Sequence, residues 1–444
     1  MSSRLIVFAK YPEPGRVKTR LIPALGPEQA AQLHDAMVRR TLRTAQQFSS
    51  RTDADIEVRI AGSEGQNAQS LFGSEFRYAS QHGSDLGVRL EGAVREAFQS
   101  GIHRVLVIGT DCPDLTPELL EESLGCLKTA DVVLGPARDG GYYLIGMTRD
   151  RPGLFRGIAW GSERVLEQTV QAASRSGLKV HQLRTLADVD HPEDLIAWRR
   201  ATVGSNAGPL ATRSGVVSVI VPTLNEAGCL AESLQPLAGE PDTELIVADG
   251  GSCDDTVAIA SQYCQRVVRT TPGRARQMNA GAAVASGETL IFLHADTRLP
   301  SNFRQELQKT LRGDCVAGAF RLRIRSDRAL LRWVERCANL RSRLLQMPYG
   351  DQAIFISARL FYEVGGFADL PLMEDFELCR RLRCRGSIRL APSAASTSAR
   401  RWCKLGVVRT TLTNQLCVAG YLLGIEPLRL ARLYRRNASA LPDE

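Results

Sequence analysis

Val216 to Glu226 reads VVSVIVPTLNE: a run rich in β-branched residues stops at a proline and gives way to polar ones. Such a run reads as a buried strand that delivers its carboxyl end to a loop. Moving outward, ELIVAD from Glu244 and TLIFLHAD from Thr289 repeat the pattern, with helical stretches between them. The first half does the same with RLIVFAKYP from Arg4, VLVIG from Val105 and DVVLG from Asp131. Strand runs alternating with helices predict α/β domains with mainly parallel central sheets, whose ligand sites lie at the carboxyl ends of the strands. Acids stand at those ends: Asp111, Asp249 and Asp296. Each alone could equally cap the next helix.

Between Trp198 and Gly215 the chain reads WRRATVGSNAGPLATRSG, without apolar periodicity, so two domains are expected. They are residues 1–200 and 216–444, joined by a linker at 201–215. A chain of 444 residues, 44% apolar and 23% charged, is ordinary globular material and excludes a disordered or fibrous protein. No apolar window reaches the ~18 residues of a membrane span, and the N-terminus lacks a signal-peptide core, so a cytoplasmic location is expected. Eleven cysteines, an odd number without a C-x-x-C pair, fit reduced thiols.

The net charge of +8 is carried entirely by residues 201–444, because residues 1–200 hold 25 basic and 25 acidic residues. Residues 378–436 hold 13 Arg or Lys and one acid, Glu426, an excess suited to phosphates or to an anionic membrane at the inner face of the cell. Without base-stacking aromatics or a known motif, nucleic acid is not expected as a partner. The stretch from Asp327, DRALLRWVERCANLRSRLLQ, puts Leu330, Val334, Cys337 and Leu344 at helical spacing among arginines. Together with the charge-free run from Thr410 to Ile425, it could lie on a membrane that holds a lipid acceptor, or its apolar face could pack on the domain.

Four segments of the second half suit a nucleotide diphosphate with a cation. PTLNE leaves a strand, ADGGSCDDT joins Asp249 to two glycines that allow close backbone approach, LHADTRLP offers Asp296 as a hard-cation ligand, and PLMEDFELCRRL opens a helix with Glu374 and Asp375. This ordered set resembles the family 2 glycosyltransferases of the GT-A fold. Through GRARQMNAG, PYGDQAIF and SARRW it also resembles the type 2 transferases associated with radical-SAM/selenodomain proteins. The resemblance implies donor contacts at Thr223, Asn225, Glu226, Asp249, Arg274, Arg276 and Asn279, and an acceptor side at Asp351, Gln352, Arg401 and Trp402. It implies Mg²⁺ or Mn²⁺ on Asp296, with Asp375, beside Glu374, as the catalytic base of an inverting transfer from a nucleotide-sugar donor to a lipid or small-molecule acceptor. His294 replaces the first acid of the family's D-x-D, and Ser398 the glutamine of processive members, which points to addition of a single sugar.

In the first half, KYPEPGRVKTRL gathers Lys10, Arg16, Lys18 and Arg20 just past a strand, and the acidic motifs GTDCPDL, PARDGGYYLIG and LADVDHPEDL follow. A cationic loop with strand-end acids can hold a metal-bound nucleotide, although a solvated basic loop would look the same. These motifs resemble the type 1 transferases associated with the same proteins and, more remotely, GT-A-like nucleotidyltransferases. The resemblance implies metal at Asp111 and Asp190, with nucleotide contacts at Lys10, Lys18, Arg20, Asp85, Arg89 and Asp139. This half would then form or bind the nucleotide-sugar that the other uses, making the chain bifunctional. The alternatives are a non-catalytic nucleotide-binding module, or a chain that is only a basic membrane-surface protein.

Overall fold

The structure, a computed structural model, describes residues 2–62, 68–204 and 210–438, with the side chains of residues 401 and 435–438 outside the description. The chain forms two compact units, Met1–Asp190 and His191–Glu444. The first unit therefore ends ten residues before the expected boundary. Residues 192–201 join the second unit because Trp198 and Arg199 are buried there, with Arg199 Nε donating to the Ala283 carbonyl at 2.9 Å. Of the expected linker, residues 205–209 lie outside the described residues, and Arg213–Gly215 already belong to a strand.

The first unit runs β1 (Ser3–Lys10), α1 (Ile22–Leu25), α2 (Pro27–Thr52), β2 (Asp55–Ala61), α3 (Ala68–Phe72), β3 (Arg77–Ser80) and α4 (Leu86–Gln99). It continues with β4 (Arg104–Ile108), α5 (Pro117–Cys126), β5 (Val132–Pro136), β6 (Tyr142–Met147), α6 (Val165–Arg175) and β7 (Val180–Gln182). Its sheet has the order β3-β2-β1-β4-β6-β5-β7, parallel except for β6, which runs antiparallel to β4 and β5. Leu5 and Val7 face one apolar layer and Ile6 the other, the two-sided burial that a central parallel strand requires.

The second unit runs α7 (Leu195–Ala201), β8 (Arg213–Thr223), α8 (Ala227–Leu234), β9 (Thr243–Asp249), α9 (Thr256–Tyr263), β10 (Arg266–Arg269), α10 (Arg274–Val284) and β11 (Gly287–Phe292). There follow β12 (Thr297–Arg298), α11 (Phe303–Thr310), β13 (Cys315–Arg325), α12 (Ala329–Leu345), β14 (Phe355–Ser357), α13 (Ala358–Glu363) and α14 (Glu374–Arg383). The chain closes with β15 (Ser387–Ser398), α15 (Arg400–Leu405), α16 (Val407–Leu422) and α17 (Pro427–Ala438). The order is β10-β9-β8-β11-β14-β13-β15-β12, with β8 to β11 parallel and β14 antiparallel to both neighbours. Each unit thus places its first strand beside the second and fourth, then adds an antiparallel strand. That switch in strand order opens a crevice at the carboxyl ends. Among the described residues no helix is long and apolar enough to cross a membrane.

Candidate active site

The ends of β8 and β9 are built first. Register pairs Thr223 with Asp249, and the Thr223 hydroxyl donates to the Asp249 carboxylate at 3.3 Å. Asp249, 1% exposed, also accepts from the Gly251 and Ser252 amides at 2.9 and 3.0 Å and from the Ser252 hydroxyl. A buried carboxylate must be met by donors, and this one draws the GGS turn around itself, with Gly251 at φ +93°. Asn225, at φ 55°, ties the first loop to the second: its amide donates to Ser252 Oγ at 2.9 Å, and its Oδ1 accepts from the Cys253 amide at 2.8 Å. The Glu226 amide donates to Thr256 Oγ1 at 2.8 Å, and the Glu226 carboxylate pairs with Arg400 at 2.7 Å.

A second group of charges gathers where α10, the β11–β12 connection and α14 meet. Arg274, Met278, Phe292, His294, Gly350, Ile354, Phe367, Glu374 and Asp375 line one cavity. Arg274 lies 3.6 Å from Glu374 and feels the charges of Glu374, Asp375 and Asp296 together. Asp375 is fixed by two backbone donors at 2.7 Å each, Gly350 N on Oδ2 and Phe376 N on Oδ1. A side chain at Gly350 would press on His294, whose Nε2 would lie 2.6 Å from an added Cβ. The His294 imidazole is held neutral, its pKa pushed down to about 3 by burial and by Arg274. Burial raises the pKa of Glu374 against the pull of Arg274, with Asp375 adding to the rise.

Asp351 joins this group: burial, and after it the charges of Asp375 and Asp296, raise its pKa to about 6, with Arg341 opposing. A carboxyl whose folded pKa lies above its usual 3.8 stabilises the fold while protonated. That contribution is complete below about pH 4 and lost as pH rises through 6. Without divalent cations, unfolding free energy is therefore expected to fall over this interval in the wild type and to fall less in Asp351→Asn. Urea titrations at stepped pH measure it, and parallel curves for the two proteins contradict a raised pKa at Asp351.

Several expected contacts have other partners. Asn279 spends both ends of its amide on Phe367, donating to the carbonyl at 2.8 Å and accepting from the amide at 2.9 Å. It braces the Gly366 turn (φ +69°) rather than offering a free polar end to a donor. Arg276 forms a fork with Asp369 at 2.8 to 3.0 Å. Gln352, fully buried, accepts from Ser342 Oγ at 2.6 Å and donates to the Phe320 carbonyl at 3.1 Å, so it fastens α12 to β13 and does not face an acceptor. Trp402 packs with Leu322, Ile324 and Leu331 in a small apolar core. The Arg401 side chain lies outside the described residues. Gln277 escaped the sequence reading: its Nε2 donates to the Thr223 carbonyl at 2.6 Å and the Ala248 carbonyl at 3.1 Å, pinning α10 to both strand ends. The only signal was its place one turn after Arg274 in GRARQMNAG.

In the first unit Lys18, in a left-handed turn and 5% exposed, sits between Asp111 at 2.7 Å and Asp190 at 3.1 Å and donates to the Val189 carbonyl at 2.7 Å. Burial works against its ammonium, but Asp111 and Asp190 prevail and raise its pKa. The two carboxylates expected to hold a cation are thus bridged by an ammonium, with Arg20 on the second Asp190 oxygen at 3.3 Å. Lys10 ends β1, and its carbonyl bonds to His34 at 3.0 Å. Asp139 accepts from the Gly141 amide at 2.8 Å within its own turn. Asp85 caps α4 by accepting from the Val88 amide at 3.0 Å, and Arg89 Nε donates to the Gly83 carbonyl at 3.1 Å. Asp85 and Arg89 also line a cleft of about 540 Å³ with Arg59, Arg156 and Trp160.

Among the described residues no three His, Cys, Asp or Glu side chains converge as a metal site. Asp296 supplies one carboxylate, weakly bonded by the Thr297 and Thr397 hydroxyls at 3.4 Å each. That suits a cation such as Mg²⁺, which keeps most of its shell as water and substrate phosphate, and it does not suit a closed protein cage.

Each unit is an α/β domain whose mixed, mostly parallel sheet carries charged side chains at its strand ends. Residues 218–368 match the family described as Glycosyl transferase family 2, and residues 44–162 match the family described as an uncharacterized protein conserved in bacteria (DUF2064). The first of these matches lies within the second unit and the other within the first. The chain is 38% identical over 91 residues to a PGL/p-HBAD biosynthesis glycosyltransferase of Mycobacterium bovis, covering 18% of this chain and 36% of that one. It is 32% identical over 113 residues to a glucosyl-3-phosphoglycerate synthase of Mycobacterium tuberculosis, 22% of this chain and 34% of that one. It spans about a third of the length of these curated relatives. A solved structure from Desulfovibrio desulfuricans, assigned by its description to the nucleotide-diphospho-sugar transferases, is 37% identical over 47% of this chain and 92% of that one, with a TM-score of 0.43. The mycobacterial synthase has been solved with Mn²⁺, UDP and phosphoglyceric acid; it is 22% identical over 45% of this chain and 77% of that one, with a TM-score of 0.32.

Proposed function

We propose that the second unit transfers one sugar from a nucleotide-diphospho-sugar to an acceptor hydroxyl with inversion at the anomeric carbon. The observation that carries this is the meeting of Arg274, Glu374 and Asp375 around one small cavity of about 10 Å³, with Asp296 near enough for its charge to act on Arg274. Asp375 takes the proton of the attacking hydroxyl, and its two backbone bonds aim the carboxylate. The Thr223, Asn225 and Asp249 loops present backbone and polar groups to the nucleotide, with Asp249 acting chiefly as their organiser. Arg274 offers a guanidinium to the leaving diphosphate as negative charge accumulates there. A divalent cation on Asp296 would supply further charge neutralisation at that diphosphate. His294, neutral beside Gly350, adds no competing positive charge. The donor is a nucleotide-sugar, and the acceptor a lipid or small molecule bearing a hydroxyl.

The test is a thermal-shift screen of UDP-, GDP- and dTDP-sugars with Mn²⁺ on the full chain, followed by NMR of the product's anomeric configuration. A donor that stabilises the second unit and yields inverted product supports the reading. Retained configuration rejects the single displacement.

For the first unit the same reading assigns nucleotide binding to Lys18, Arg20 and Asp111. A phosphate group would compete for Lys18 and free Asp111 and Asp190 for a cation, giving nucleotidyl transfer to a sugar 1-phosphate. Pyrophosphate release from NTP, Mg²⁺ and sugar 1-phosphates, lost in Asp111→Asn, tests this. Nucleotide binding without release assigns a non-catalytic module instead.

A further inference from the structure

Sixteen large apolar side chains are exposed among the described residues, and thirteen of them fall between Leu330 and Leu433. On α12, Leu331, Val334 and Ala338 point into the small core with Leu322 and Ile324. A second stripe, Leu330, Trp333, Cys337, Leu340 and Leu344, is exposed at three- and four-residue spacing, so the helix is apolar on two faces and only one is covered. On α16 the pattern is reversed: Thr410, Thr413, Cys417 and Gly420 are buried, while Val408, Leu412 and Leu416 are exposed, as is Leu423 just past its end. A helix that buries two of its three threonines and exposes its leucines presents the wrong face to water, and a patch of this extent marks an interaction surface. The covered-face alternative for these helices therefore accounts for only half of α12 and for none of the exposed side of α16.

Charge names the occupant. Residues 327–345 carry five arginines against two acids, and residues 400–438 carry eight Arg or Lys against Glu426 alone. A second copy docked on the same surface would set these cations against one another, whereas an anionic bilayer meets apolar residues and arginines together, the former among acyl chains and the latter at phosphates. We infer that α12, α16 and α17 form a docking surface for an anionic phospholipid bilayer, with the exposed leucines of α12 and α16 inserted at its interface.

The surface adjoins the site. Ser342 of α12 bonds to Gln352, the Arg341 guanidinium lies 3.4 Å from the ring centre of Tyr349, and the next residue, Gly350, holds Asp375. Resting on the transfer reading, the surface assigns the acceptor to the lipids: a membrane-held molecule whose hydroxyl sits at the headgroup level and reaches Asp375 from the α12 side.

Flotation of the full chain tests docking without reference to sugar transfer. Recovery with phosphatidylcholine vesicles containing about a third phosphatidylglycerol is expected to exceed that with phosphatidylcholine alone about tenfold, and to fall in high salt. Leu412→Glu/Leu416→Glu, and separately Leu340→Glu/Leu344→Glu, are expected to lower it about tenfold while circular dichroism and the donor-induced thermal shift stay unchanged. Equal recovery with and without anionic lipid overturns the proposal. So does a wild-type dimer in light scattering that either variant splits and that fails to float, since the occupant is then a second copy. A chain that floats but shows no donor-induced shift leaves docking standing and removes the transferase reading.

Discussion

Asp375→Asn is expected to lower the transfer rate by about 10²- to 10⁴-fold while donor affinity changes little. Both oxygens of Asp375 accept one backbone hydrogen each, from Gly350 and Phe376. A carboxylate has about four acceptor positions, so two remain for the acceptor hydroxyl. Asparagine keeps the shape, but its NH₂ cannot accept the hydroxyl's proton and must face one of the two backbone N–H groups. The structural cost is one hydrogen bond, about 1 kcal/mol, whereas loss of a general base at a thousandfold is about 4 kcal/mol. The sizes separate the roles. Single-turnover transfer with a saturating donor measures the rate, and thermal shift with the donor measures binding. A rate within tenfold of wild type reduces Asp375 to a brace for the Gly350 turn. Glu374, buried against Arg274 at 3.6 Å, would then be the next candidate for the base.

What could be read beforehand follows from how local each feature is. The strand runs that end at Thr223, Asp249 and Phe292 stand where VVSVIVPT, ELIVAD and TLIFL predicted them, because burial on both faces of a parallel sheet writes itself into consecutive residues. The turn chemistry around Gly251 was equally local. Partner choice was not: Arg276 to Asp369, Glu226 to Arg400 and Asn279 to Phe367 span 88 to 174 residues, and nothing in GRARQMNAG shows which polar side chain meets a ligand and which meets a distant loop. The fork of Lys18 between Asp111 and Asp190 needed strands brought together across the sheet. For the C-terminal helices, periodicity found an apolar face on α12 but could not tell that its inner stripe is shifted by one residue from Leu330 to Leu331, nor that α16 turns Thr410 and Thr413 inward. In β2, Asp55, Glu57 and Arg59 alternate with apolar residues as a solvent-facing edge would, yet Glu57 and Arg59 are among the most buried charges of the first unit.

That buried pair carries the largest stability effect expected in the molecule. Glu57 stands between two guanidiniums: Arg4 reaches its Oε2 at 3.1 Å and Arg59 its Oε1 at 2.6 Å, and all three side chains are only 5 to 6% exposed. Each arginine has a second acid, Asp55 for Arg4 at 3.5 Å and Glu96 for Arg59 at 2.5 Å, but both of these are more than half exposed and weakly held in water. Glu57→Ala therefore strands two buried cations side by side, at a cost of about 3–5 kcal/mol to the first unit. Calorimetry of the full chain should show the transition of that unit moving down by about 10 °C while any transition of the second unit stays in place. The triple replacement Arg4→Met/Glu57→Leu/Arg59→Met is expected to recover most of the loss, because an apolar trio of similar volume needs no charge compensation. Since Arg59 lines the first unit's cleft, the same triple variant separates two uses of the arginine. If stability returns but nucleotide binding by that unit does not, Arg59 serves the cleft as well as the fold. If Glu57→Ala costs under about 1 kcal/mol, water reaches the trio and the burial argument fails.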